Sequence, residues 1–214
     1  MLPGALKILL ADDHAVVRSG LKQILLEEFH GAVFGEARNA QEAITMVWEQ
    51  TWDVVVLDLT MPGRSGLEVL REIRKSRPKL PVLVLSMHPE SQFAVRVLKQ
   101  GASGYITKES APEELAGAMK KVLAGGRYIS ATLAQVLAVR LSSDHDKPPQ
   151  ELLSDREFHV LCLIASGKLV SEIARELSLS IKTISTYRAR ILEKMGMSNN
   201  AQLMRYALQH HLVA

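Results

Sequence analysis

Short apolar runs alternate with helix-like segments through the first 127 residues, and this alternation restricts the fold more than any other feature. Five runs of aliphatic or β-branched residues are separated by stretches whose apolar residues recur at helical spacing. The most apolar run, residues 54–57, leads directly into Asp58. Five consecutive strand-helix units predict a doubly wound parallel sheet with helices on both faces, an α/β fold.

Polar residues follow four of the five predicted strands. They are Asp12 and Asp13, Asp58, Ser86, and Lys108. The carboxyl ends of parallel strands meet at one edge, where open α/β sheets bind ligands. Carboxylates suit Mg²⁺, a lysine can pair with a carboxylate or a phosphate, and a carboxylate can attack phosphorus. A lone Asp after a strand is usually a turn residue or a helix cap, but five such residues at one edge favour a shared site.

Composition sets broad limits on the kind of protein. The chain has 214 residues, 47% of them hydrophobic and 23% charged, which suits a soluble protein of one or two domains. The net charge of +3 permits a nucleic-acid partner without requiring one. Cys162 has no second cysteine to pair with, which favours a reducing compartment. No run reaches transmembrane length and no secretory pattern is present, so we expect a cytoplasmic protein without membrane contact.

The character of the chain changes after residue 127. Residues 128–150 are predicted to be a linker, with a helix at 131–141 and a polar stretch that ends in Pro148 and Pro149. Residues 151–214 show only short helical patterns and are predicted to form an all-α domain of four helices. Ser154 and Glu157 fit a capping box, and Ser180 fits the N-cap of a helix over 181–195.

The predicted helix 181–195 concentrates positive charge. It has four basic side chains against one acidic, a net +3, whereas the rest of 151–214 has four basic and five acidic residues. A short helix, a tight turn and a basic helix are typical of helix-turn-helix DNA binding. A solvated surface helix or a protein-docking face remains an alternative. The candidate DNA-contacting residues are Lys182, Thr183, Ser185, Thr186, Tyr187, Arg188, Arg190 and Lys194.

Two of these candidates have a second interpretation. Arg188 falls on the apolar side of the helical wheel, where it could pair internally, and Tyr187 could pack instead of contacting phosphate.

Residues 7–127 resemble the receiver domain of bacterial response regulators. An acidic pair, an Asp, a Ser and a Lys follow strands one, three, four and five in the family order, and residues 61–66 match its MPGxxG loop. The resemblance implies a flavodoxin-like fold for this domain, and it implies that Asp58 accepts a phosphoryl group. It also implies that Asp13, Asp58 and the main-chain carbonyl of Thr60 bind Mg²⁺, with Asp12 acting through water. Many receivers have Pro directly after the lysine, where this chain has Glu109.

The same resemblance assigns a switch role to one aromatic residue. Tyr105, three residues before Lys108, occupies the family's aromatic switch position. It implies that Ser86 and Lys108 move towards the phosphoryl group and that the tyrosine ring then turns inward. On the strand pattern alone, a packing role is the simpler interpretation.

Residues 151–214 resemble the LuxR-type DNA-binding domain, through segments such as 153–157, 164–168 and 182–187. Together with the receiver, this makes the chain similar to NarL/FixJ-type response regulators. The resemblance implies a sensor histidine kinase, double-stranded DNA and a second copy of the chain as partners. Many members have Lys and His where this chain has Ser185 and Tyr187, so the target sequence does not carry over. The dimer candidates in the last helix are Leu203, Tyr206, Ala207 and Leu208, with ordinary core packing as the alternative.

Two other classes of function compete with this interpretation. A phosphatase with a carboxylate nucleophile typically has Asp-x-Asp after the strand, but this chain has Thr60 two residues after Asp58 and no room for a cap domain. A regulator that binds DNA without phosphorylation is opposed by the complete acidic set. We therefore expect a protein that catalyses its own phosphorylation from a donor but is not a turnover enzyme.

Overall fold

The computed structural model describes residues 5–61, 64–142, 148–210 and 212–213. Pro62 and Gly63 of the predicted loop, and residues 143–147 of the predicted linker, lie outside this description. Contacts within the chain define two compact units, Met1–Gln135 and Val136–Ala214.

The first unit is built on a five-stranded parallel sheet with strand order β2-β1-β3-β4-β5. The strands are β1 (Lys7–Ala11), β2 (Val33–Ala37), β3 (Val54–Asp58), β4 (Val82–Ser86) and β5 (Gly104–Thr107). All five residues of β3 and all five of β4 are buried. A central parallel strand is covered on both faces, which is why these two read as unbroken apolar runs.

Helices cover both faces of the sheet. They are α1 (Ala15–Glu28), α2 (Ala40–Glu49), α3 (Gly66–Ser76), α4 (Glu90–Lys99) and α5 (Ala111–Leu123). Alternate strand residues such as Ile8, Val56 and Leu83 join residues of α1 and α5 in one hydrophobic core. Their neighbours, such as Leu9 and Val84, are equally buried and point to the opposite face, because successive strand side chains alternate. The predicted doubly wound α/β fold is confirmed.

The remaining elements are all helical. Helix α6 (Ala131–Ser142) is followed by a 3-10 turn (Pro149–Leu152), α7 (Asp155–Ala165), α8 (Val170–Glu176), α9 (Ile181–Met195) and α10 (Asn200–Gln209). Ser154 and Glu157 form the expected capping box at the start of α7, and Ser180 accepts a hydrogen bond from the main-chain N–H of Thr183 at the start of α9. The prediction of an α/β domain and a helical domain is confirmed.

The end of the predicted linker is part of the second unit. Gln150 is buried, and the hydroxyl of Tyr206 in α10 is hydrogen-bonded to its side-chain oxygen. No apolar pattern signals this contact, because both groups are polar. Among the described residues, no helix has the length and apolar character needed to cross a membrane.

Candidate functional site

The carboxyl edge of the sheet brings together the residues that follow β1, β3, β4 and β5. The Nζ atom of Lys108 lies 2.7 Å from Oδ2 of Asp12 and 2.8 Å from Oδ2 of Asp58. The side chains of these three residues are at most 8% exposed. Such burial is costly for charged groups unless they are paired, and the lysine pairs with both carboxylates.

The surroundings shift the ionisation of this cluster. Burial raises the pKa of Asp58 to about 6; Lys108 opposes this rise, and the nearby carboxylate of Asp12 adds to it. Burial acts to lower the pKa of Lys108, but its attraction to Asp58 and Asp12 outweighs that effect and the pKa is raised overall. A cation near the carboxylates would favour the ionised form of Asp58, which is the form able to act as a nucleophile.

The acidic residues form a group that could hold a metal ion. Asp12, Asp13, His14 and Asp58 each offer one ligand atom, and these four atoms lie within 4.8 Å of one another. Three of the four donors are carboxylate oxygens, the donor type that Mg²⁺ prefers. The main chain of Thr60 lies beside Asp58, because its N–H donates a 3.1 Å hydrogen bond to Oδ1 of that residue. The donor set therefore fits a hard divalent cation.

A close approach of α3 supports the main chain of Asp58. A Cβ atom on Gly66 would lie 2.2 Å from the carbonyl oxygen of Asp58 and 2.6 Å from the Cα of Leu59. The N–H of Gly66 donates a 2.9 Å hydrogen bond to the Leu59 carbonyl, and Ser65 caps the helix with Glu68. Only glycine fits this contact, so the glycine at position 66 has a direct structural reason.

Ser86, His88 and Tyr105 are linked by hydrogen bonds. The hydroxyl of Ser86 accepts a 3.1 Å bond from the N–H of His88, whose carbonyl accepts a 2.7 Å bond from the hydroxyl of Tyr105. The Tyr105 side chain is fully buried, and burial raises its pKa. The hydrogen bond to His88 satisfies its hydroxyl, which stabilises the inward position of the ring.

Sequence analysis missed Arg18, a buried arginine in α1. Its Nη1 donates a 2.7 Å hydrogen bond to the main-chain carbonyl of Asp12, and its Nε lies 3.3 Å from Glu36. Arg18 therefore holds the loop that presents Asp12 and Asp13. A signal was present, because Arg18 shares the buried face of α1 with Leu21 and Leu25 at helical spacing.

The outer face of α9 displays four of the eight candidate DNA-contacting residues, and a fifth, Lys194, is exposed but paired. Lys182, Ser185, Thr186 and Arg190 are exposed. They recur at spacings of three or four residues, so they share one side of the helix. Ile184, Ile191 and Met195 form the buried side. Ile181, which the wheel placed with them, is 58% exposed because it lies at the first position of the helix.

Three of the other candidates in α9 have polar partners inside the second unit, and the fourth is half-buried. The Nε of Arg188 donates a 2.6 Å hydrogen bond to Asn200, and Nζ of Lys194 lies 2.6 Å from the buried carboxylate of Glu157. The hydroxyl of Thr183 lies 2.8 Å from that of Ser180, and Tyr187 is half-buried. Arg188 therefore pairs internally, which is the second interpretation given for it, and the ammonium group of Lys194 is engaged with Glu157 although its side chain is 39% exposed.

The dimer candidates of α10 divide in the same way. Leu203 and Ala207 are fully buried within the second unit, which corrects their assignment to a surface. They lie four residues apart on the inner face of α10. Tyr206 is half-buried against Gln150, and Leu208 is 53% exposed.

Comparisons with known proteins match a family to each of the two units. Residues 8–120 match the response regulator receiver domain family, and residues 151–207 match the bacterial regulatory proteins of the luxR family. The chain is 35% identical to the response regulator UvrY of Escherichia coli (strain K12) over 209 residues, covering 97% of this chain and 95% of that protein. It is 37% identical to the response regulator GacA of Pseudomonas aeruginosa over 210 residues, covering 97% and 98%.

A solved structure extends the likeness to the whole chain. RcsB of Salmonella enterica serovar Typhimurium, bound to the promoter P1flhDC in the presence of the phosphomimetic BeF3-, matches with a TM-score of 0.60 and 29% identity. The match covers 97% of this chain and all of that one, 100%.

Proposed function

The chain belongs to the NarL/FixJ-type response regulators, phosphorylation-dependent transcription regulators with a receiver and a LuxR-type domain, and we propose that Asp58 is its phosphoacceptor. The observation that carries this assignment is the buried triad of Asp12, Asp58 and Lys108 at the carboxyl edge of the sheet. Residues 1–127 would form the receiver, residues 128–150 the linker and residues 151–214 the DNA-binding domain.

The proposed reaction transfers a phosphoryl group from a histidine of a sensor kinase. A carboxylate oxygen of Asp58 forms a bond to phosphorus while the phosphorus–nitrogen bond of the donor breaks, and the imidazole leaves with a proton. Lys108 already lies 2.8 Å from Asp58, so its ammonium can follow the new negative charge. The hydroxyl of Ser86, at the end of the adjacent strand, can donate a hydrogen bond to a phosphoryl oxygen.

Asp13, Asp58 and the main-chain carbonyl of Thr60 would hold Mg²⁺, with Asp12 acting through a water molecule. When bound, Mg²⁺ supplies positive charge that neutralises the phosphoryl oxygens. Arg18 would fix the backbone of this acidic loop through its 2.7 Å hydrogen bond to the carbonyl of Asp12.

A continuous set of contacts supports a route from this edge to α6. Ser86 is linked through His88 to Tyr105, and His88 is followed two residues later by Glu90, the first residue of α4. The carboxylate of Glu90 accepts a 2.5 Å hydrogen bond from Ser130, whose hydroxyl also accepts a bond from the N–H of Leu133 in α6. A shift of Ser86 towards a phosphoryl group would therefore change the start of α6.

The proposed output is binding of double-stranded DNA by two copies of the chain in the cytoplasm. The exposed side of α9, with Lys182, Ser185, Thr186 and Arg190, would enter the major groove. Phosphorylation would shift the population towards a dimer or towards an exposed α9. The exposed Leu208 and the half-buried Tyr206 are the remaining dimer candidates of α10.

Phosphorylation with a small donor tests the proposal. The full chain is incubated with Mg²⁺ and acetyl phosphate, and intact mass, dimerisation and DNA binding are followed for the wild type and Asp58→Asn. We expect addition of one phosphoryl group, lost in the variant, together with tighter dimerisation and DNA binding. Rapid donor turnover without accumulation would favour a phosphatase. DNA binding that ignores both treatments would favour a constitutive regulator.

A further inference from the structure

The imidazole of His14 lies beside the acidic cluster and has no role in the proposed reaction. The Nδ1 atom of His14 lies 2.9 Å from Oδ1 of Asp13 and 3.3 Å from Oδ1 of Asp12. It belongs to the group of four ligand atoms, with Asp58, that lie within 4.8 Å of one another. The site therefore offers one nitrogen donor in addition to its carboxylate oxygens.

The distance between His14 and Asp13 fits two ligands of one octahedral ion. Neighbouring ligands of an ion with metal–ligand bonds of about 2.1 Å are about 3.0 Å apart, and opposite ligands about 4.2 Å apart. The 2.9 Å separation matches the neighbouring positions, and no separation within the whole group exceeds 4.8 Å, slightly more than that of opposite ligands.

The nitrogen donor alters which metals the site can favour. Mg²⁺ prefers oxygen ligands and keeps several waters, so it gains little from an imidazole. Ni²⁺ and Co²⁺ bind imidazole well and follow the order of increasing affinity among divalent transition metals. We propose that His14 is a direct ligand for such borderline divalent metals at the phosphoacceptor edge, while Mg²⁺ binds there without it. The inference rests on the proposed metal site and adds a selectivity residue to it.

The structure allows this role to be separated from a structural one. The His14 side chain is 65% exposed, and it makes no cap hydrogen bond although His14 is the N-cap residue of α1. The hydrogen bond of 2.8 Å to Oδ1 of Asp12 comes from the main-chain N–H of His14, so any substituted residue other than proline retains it. His14→Gln therefore removes the imidazole while it leaves the acidic loop in place.

Calorimetric titration of the full chain with Ni²⁺, and separately with Mg²⁺, tests the inference. The protein has seven histidines, so the relevant Ni²⁺ site is defined as the one that excess Mg²⁺ displaces. We expect His14→Gln to weaken this site by about tenfold or more and to change Mg²⁺ affinity by less than about twofold. His30→Ala, which removes an exposed histidine in the loop after α1, is the matched control and should change neither affinity.

A spectroscopic reading reports the ligand itself. With Co²⁺ in place of Ni²⁺, loss of a nitrogen ligand should shift the visible absorption of the bound ion in His14→Gln and leave it unchanged in His30→Ala. An unshifted spectrum with unchanged Ni²⁺ affinity would overturn the inference. Equal weakening of Ni²⁺ and Mg²⁺ would also overturn it, because His14 would then act through the carboxylates.

Failure of the proposed function gives a different pattern. If wild-type protein binds no Mg²⁺, or if Asp13→Asn leaves Mg²⁺ binding intact, the assignment of the acidic residues as the Mg²⁺ site is wrong. If Mg²⁺ binds and depends on Asp13 while the Ni²⁺ site ignores His14→Gln, only the selectivity role is wrong.

Discussion

At the carboxyl edge of the sheet, Asp12, Asp58 and Lys108 are buried against one another, whereas on α9 Lys182 and Arg190 are exposed to solvent. The first arrangement holds charge in a fixed geometry before any ligand arrives. The second leaves cations free to meet a phosphate backbone, where their contribution depends on salt. A charged side chain therefore suits a reaction site when the fold fixes its position, and it suits nucleic-acid binding when the fold leaves it accessible.

Lys194 shows that the two arrangements also occur on a single helix. It lies on α9 with Lys182, yet it is paired with Glu157, which is 3% exposed at the start of α7. An uncompensated buried carboxylate is unfavourable, so this lysine stabilises the second unit. Its position in a basic helix therefore does not indicate its role.

The largest expected effect comes from filling the space beside Asp58. In Gly66→Ala the new Cβ would meet the Asp58 carbonyl at 2.2 Å, so α3 or the strand end must move. We expect a loss of about 3 kcal/mol in the free energy of unfolding and a large fall in phosphorylation rate. Denaturation followed by fluorescence reports on this unit, because both tryptophans, Trp48 and Trp52, lie in it.

Gly117→Ala is the matched control for this prediction. Gly117 lies in α5 with nothing within 4 Å of an added Cβ. Alanine there should stabilise the helix by about 0.5–1 kcal/mol. Similar stability of the Gly66→Ala and Gly117→Ala variants would contradict the close approach of α3 to the phosphoacceptor.

The next effect is a pH dependence at Asp58. Its folded-state pKa of about 6 lies above the ordinary value of 3.8. Asp58 therefore favours folding below about pH 3.8, and this contribution is lost as the pH rises through about 6. The unfolding free energy of Asp58→Asn minus that of wild type should rise by about 2–3 kcal/mol as the pH is raised from about 4 to about 7 in the absence of divalent cations.

Denaturant titrations in EDTA at the two pH values, followed by tryptophan fluorescence, provide this measurement. A difference between Asp58→Asn and wild type that stays constant across the range would mean that burial does not raise the pKa of the carboxyl group.

A smaller effect is expected when the two lysines of α9, Lys194 and Lys182, are substituted and the stability of the second unit is compared. Lys194→Met should cost about 1 kcal/mol, a value kept low because the lysine is partly exposed and its ion pair is screened. Lys182→Met should leave stability unchanged, because Lys182 is exposed. Hydrogen exchange of the α7 amides measures both. Equal protection in the two variants would remove the structural role assigned to Lys194.

The smallest expected effect concerns the salt dependence of DNA binding. Lys182→Met should reduce the slope of log affinity against log salt by about one, because one phosphate contact is lost. Lys194→Met should leave that slope unchanged. Titration of the phosphorylated protein with duplex DNA at several salt concentrations measures the slope, and a reversed order of the two variants would show that Lys194 faces the DNA.

Sequence patterns located the sheet edge well because strand ends are fixed by topology. Asp58 and Lys108 are 50 residues apart, yet each ends or directly follows a buried strand, so their meeting could be predicted. The partners of Lys194 and Arg188 could not be, because a helical wheel gives a direction and not a neighbour. The buried positions of Leu203 and Ala207 depend likewise on how α10 packs against α7, which periodicity alone does not determine.

Identification of the phosphorylated residue is the direct test of whether Asp58 is the phosphoacceptor. The chain is phosphorylated with acetyl phosphate and Mg²⁺, reduced with borohydride so that an aspartyl phosphate becomes homoserine, and digested for peptide mass spectrometry. The account predicts homoserine at Asp58 and at no other aspartate, with Asp12 and Asp13 unmodified in the same spectra. Homoserine at another position, or phosphorylation of a residue outside the carboxyl edge of the sheet, would contradict it.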